Sequence, residues 1–79
     1  MGRLKMTHSD KNWVPLTKNE LFKLEPGDPV LLHLREYEPK STEVEEWDFI
    51  DWKGPYLFLA NTEKFPVIVL QENVGRFPL

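Results

Sequence analysis

The sequence predicts a small all-β domain, and three observations carry that reading. Val30, Leu32 and Leu34 alternate with other residues at period two, which places them on one face of a strand. Val67-Ile68-Val69-Leu70 is a β-branched run of strand character. Turn clusters separate such runs: Pro26-Gly27-Asp28-Pro29, Asn61-Thr62-Glu63-Lys64 and Gln71-Glu72-Asn73.

Residues 1–12 are polar and mixed, with nothing apolar to dock, so a disordered leader is expected there, with Met6 a candidate start. The domain proper is expected over 13–79. Trp13, Val14 and Leu16 form an aromatic arm that either closes an open end of the core or docks on a partner. Thr17 and Glu20 have capping-box spacing, which allows one helical turn over 17–22, although an extended arm fits the same residues. Pro26-Gly27 ends that stretch. The first strand is Val30 to Arg35, with Leu31 and His33 on its second face, where His33 reads as a partly exposed structural residue.

Residues 36–51 hold seven of the thirteen acids and one base, Lys40, for a local charge of −6. The remaining chain sums to +3, and the whole to −3. Like charge at this density predicts a solvated hairpin loop, or else an acidic contact for a basic partner. Trp47, Phe49 and Ile50 mark where the chain returns to the core. Gly54-Pro55 interrupts strand character, Leu57 to Ala60 resumes it, and Pro66 fits the first position of the Val67–Leu70 strand. A last strand begins at Val74. Four to five short antiparallel strands with an N-terminal arm make an SH3-like barrel the best fit.

Composition narrows the function. With 79 residues, the chain is one domain whose core buries only about 60% of the surface of its unfolded form. The absence of Cys excludes disulfides, thiolate catalysis and Cys-based zinc sites, and two His are too few for a His-only metal site. No apolar run approaches the roughly 18 residues of a membrane span. No catalytic constellation, metal site, cofactor motif or small-molecule substrate site is expected: the acid pairs lack a pocket to shift their pKa values, and no Gly-rich phosphate loop is present.

Two stretches resemble a known family. Leu24-Glu25-Pro26-Gly27-Asp28-Pro29-Val30-Leu31-Leu32 is similar to the opening of the C-terminal domain of retroviral integrases, above all those of the murine leukaemia virus type. Trp52-Lys53-Gly54-Pro55-Tyr56, followed by Leu57-Phe58-Leu59, resembles that domain's second strand, and the Val67–Leu70 strand keeps the order and spacing. The resemblance covers residues 24–79. It implies an SH3-like barrel without chemistry of its own, an accessory module of an integrase or Pol-derived protein that contributes DNA binding and multimerisation in a nuclear or virion-associated setting. Three features depart from the pattern. Asp51 stands where the family carries a base, the first connection is acidic, and Arg76-Phe77-Pro78-Leu79 replaces a Trp-Ile-His-like strand without the following tail. These would suit an endogenous, domesticated copy or a divergent virus.

Two functions are therefore expected in competition. The first is salt-dependent nucleic-acid binding through Lys53, Arg35, Lys64 and Arg76, with Tyr56 as a stacking platform. The second is a protein-interaction module that has lost DNA binding. It would use Trp13, Leu16 and Phe77, with self-association or a partner strand added at an edge left open by the short C-terminus.

Overall fold

A computed structural model describes residues 7–78 of the chain. Its described residues form seven strands: β1 (Thr7–Ser9), β2 (Val14–Pro15), β3 (Pro29–His33), β4 (Glu43–Lys53), β5 (Tyr56–Asn61), β6 (Lys64–Leu70) and β7 (Val74–Arg76). One helix, α1 (Lys18–Phe22), precedes β3, and 3-10 turns occupy Asp10–Asn12, Leu34–Glu36 and Gln71–Asn73. All pairings are antiparallel, in the order β2-β7-β3-β4-β5-β6, with β1 on β4. The architecture is all-β and consistent with the expected SH3-like barrel.

The acidic stretch departs most from expectation. Its second half is not a loop but most of β4, the longest strand, which pairs with β1, β3 and β5. The reason is alternation: Glu46, Asp48 and Asp51 stay exposed while Trp47 and Phe49 are buried. Carboxylates on the water side of a strand need no desolvation, so a charge run does not prevent pairing. Pairing shifts register between Phe49 and Asp51, where Ile50 is the extra residue. The bulge changes the phase, so Trp52 rather than Asp51 follows Phe49 inward and packs against the core. Trp47 and Phe49 mark the chain's return to the core, as expected, whereas Ile50, expected with them, sits at the bulge outside the core cluster.

The core gathers Leu21, Val30, Leu32, Trp47, Phe49, Leu57, Leu59, Val69 and Val74. Leu21 reaches it because α1 forms: Thr17 and Glu20 complete the capping box, the Glu20 N–H donating to Thr17 Oγ1 and the Thr17 N–H to Glu20 Oε1. Pro66 is the third residue of β6, not its first, because the strand begins at Lys64. An edge strand tolerates the missing N–H there, at a register irregularity opposite Ala60.

The expected disordered leader is corrected over its described part. Thr7–Ser9 pairs with Glu43–Glu45, and Asp10 N–H donates to Thr42 O at 2.9 Å. Residues 1–6 lie outside the described residues. The arm then crosses the second face of β3, where Trp13 Nε1 donates to Leu31 O at 3.0 Å. The Trp13 ring meets His33 edge-on at 5.0 Å. His33 is consequently buried, 4% exposed, rather than partly exposed.

Candidate docking surface

The residues expected to bind nucleic acid are held by different partners. Arg35 Nε donates to Asn73 Oδ1 at 2.7 Å, Nη2 donates to Glu72 O, and its guanidinium lies 5.2 Å from the Trp13 ring. Arg76 Nε donates to Glu20 Oε2 at 2.6 Å. Lys64 pairs with Glu45. Lys53 extends over the Phe58 ring at 5.5 Å and stands opposite Tyr56 across the β4–β5 hairpin. Lys53 and Tyr56 are thus the pair that cross-strand register brings together. The positive φ of Gly54, 70°, permits the turn that joins their strands.

The expected protein contacts Trp13, Leu16 and Phe77 are engaged within the chain. Trp13 lies against β3, Leu16 packs on the core, and Phe77 meets His8 edge-on at 5.6 Å. The edge differs as well. The last strand, β7, is flanked by β2 and β3, so it is not the open side. Among the described residues the strand order ends at β2, two residues long, and at β6, seven residues long, which pairs with β5 alone.

The outer face at the β6 edge carries Tyr56, singled out in the sequence as a stacking platform, beside Phe58, Ile68 and Leu70, which sequence reasoning did not single out. Phe58 and Ile68 stand opposite one another, as do Tyr56 and Leu70. Ile68 is 55% exposed, and Tyr56 and Leu70 are also exposed. Their signal was available: Val67-Ile68-Val69-Leu70 must turn alternate residues outward, and Val69 is the buried one.

At the start of β6 a concave site of about 450 Å³ lies between Tyr37, Trp47 and Phe65, with Glu38, Glu45 and Lys64 in its lining. Glu45 is buried, and its Oε1 accepts from Trp47 Nε1 at 2.9 Å. Burial raises the Tyr37 phenol above its ordinary value, reinforced by the charges of Glu36 and Glu45. Among the described residues no group of three or more His, Cys, Asp or Glu is arranged to hold a metal ion. Among the described residues no helix is long and apolar enough to cross a membrane.

No family model, curated protein or solved structure matches the chain.

Proposed function

We propose that the domain is a non-catalytic docking module that accepts an extended, basic segment of another protein along β6. The carrying observation is the outer side of β6, which has no strand beside it among the described residues, next to exposed Ile68 and Leu70. A strand added there gains main-chain hydrogen bonds from the edge, and its alternate side chains meet the apolar face. The acid surplus selects the occupant. Exposed Glu46, Asp48 and Asp51 of β4 share that outer face and outnumber Lys53, with Asp51 in line with Phe58 and Ile68 through the strand register. The face therefore attracts a basic segment, whereas a second copy brings the same acids and is repelled. This keeps the accessory, non-catalytic role that the resemblance to integrase C-terminal domains implies.

Selection from a displayed random-peptide library tests the reading. Enriched peptides should be basic, with apolar residues at alternate positions, and Ile68→Glu should abolish their capture. No enrichment, or capture indifferent to Ile68→Glu, overturns it. Concentration-dependent dimerisation that the peptides do not disrupt would assign the edge to a second copy and also overturn it.

A second reading, nucleic-acid binding, is favoured by the Lys53–Tyr56 pair, a base beside an aromatic ring at a hairpin end.

A further inference from the structure

The concave site at the start of β6 combines features that suit a particular kind of cation. Three aromatic residues wall it: Trp47 is buried, Tyr37 is half-exposed, and Phe65 is 90% exposed. An exposed Phe ring beside a cavity is apolar surface that gains from being covered. The buried Glu45 carboxylate supplies negative charge from within, one oxygen held by the Trp47 indole and the other facing the Lys64 ammonium. That ammonium lies 6.0 Å from the Trp47 ring centroid. The chain therefore already places one of its own ammonium groups between a carboxylate and an aromatic face, with Lys64 itself half exposed.

We propose that this site binds a methylated lysine side chain of the docked segment, which displaces Lys64 from Glu45 and closes Tyr37 and Phe65 over its methyl groups. Aromatic faces attract cations through the ring quadrupole, and the attraction grows when the cation is desolvated. Methylation spreads the charge over an apolar surface and removes N–H donors that would otherwise demand water or acceptors. Such a group suits walls that are mostly aromatic with one buried carboxylate. A primary ammonium needs more acceptors than one carboxylate supplies, and the Lys64 side chain stays half exposed to solvent. The inference rests on the proposed docking along β6: Lys64, Phe65 and Val67 belong to that strand and also line the site, so a segment paired with its edge carries side chains past the opening.

The test uses small probes, so it does not depend on edge pairing. The full chain is titrated with N-acetyl-Nε-trimethyllysine amide, the unmethylated lysine analogue, a neutral tert-butyl analogue and phosphocholine, followed by NMR. The trimethyl compound should shift the Trp47 indole and the Phe65 and Tyr37 rings. It should bind about tenfold tighter than the neutral analogue. Phe65→Ala and Tyr37→Ala should each weaken binding several-fold with the fold retained. Lys64→Gln should tighten it, because the internal competitor is removed and the competent fraction rises. A purely structural Lys64–Glu45 pair predicts no tightening. Equal binding of the neutral analogue, binding of phosphocholine alone, or no shift in both the wild-type and Lys64→Gln chains overturns the proposal. Peptide capture that still depends on Ile68 in that case would leave the docking reading intact.

Discussion

His33 Nε2 lies 2.8 Å from Asp10 Oδ2 and ties the N-terminal arm to β3. The Arg35 N–H donates to His33 Nδ1 at 3.1 Å, which assigns the ring proton to Nε2 and makes Asp10 its acceptor. With Trp13 stacked edge-on against the same ring, the arm covers one face of the sheet as part of the domain.

Breaking that tie should cost stability. Asp10→Ala leaves a buried imidazole N–H without its acceptor, an expected loss of about 1–3 kcal/mol. Asp10→Asn retains a side-chain acceptor and should lose less. Urea denaturation of both variants, beside deletion of 1–12, measures the effect. A deletion as stable as the full chain would show that the arm contributes nothing.

Gly75 is fixed by the same arm. A Cβ there would lie 2.1 Å from Val14 O and 2.5 Å from the Trp13 ring. Gly75→Ala must push β2 and Trp13 away from β7, so a loss of about 3 kcal/mol is expected, at the upper end for overpacking. Thermal melting followed by circular dichroism checks this.

Acid should loosen the contact between α1 and β7. Glu20 is held below its ordinary value of 4.5, first by the Thr17 N–H and then by Arg76. A depressed carboxylate contributes stability that is present above 4.5 and is lost as pH falls through its lower folded value. The melting temperature should therefore drop below about pH 4.5, and Glu20→Gln should make that drop shallower.

Duplex DNA separates the two functional readings. If Lys53 and Tyr56 grip phosphate and base, affinity should fall steeply between low and moderate salt, and Lys53→Ala should reduce both affinity and the salt slope. The docking reading expects no measurable binding at low salt.

Ile68→Glu should leave the fold intact, with stability within about 0.5 kcal/mol of the parent, since the residue is more than half exposed. Any loss of peptide capture by this variant then reports the surface rather than unfolding.

Local chemistry in the chain was enough to determine several elements: the turns at Gly27 and Gly54, the alternation of Val30 and Leu32, and the β-branched run at Val67, while the capping-box spacing of Thr17 and Glu20 left a helical turn and an extended arm both open. Each depends on neighbours within a few residues, so no distant contact was needed to read it. The all-β class followed from them. Tertiary structure decided what those neighbours could not. Residues 43–53 became the central strand because three partners satisfy its backbone while Glu43, Glu46, Asp48 and Asp51 face water and the buried Glu45 is held by Trp47 and Lys64. Thr7–Trp13 became ordered because β3 and β4 offered a surface to cover. Arg76 and Lys64 acquired carboxylate partners 56 and 19 residues away. The exposed face of β6 belongs to the same class. Period two dictates that Ile68 and Leu70 point away from Val69, but only the strand order leaves them on an edge strand that pairs, among the described residues, with β5 alone, so that another chain can add to it.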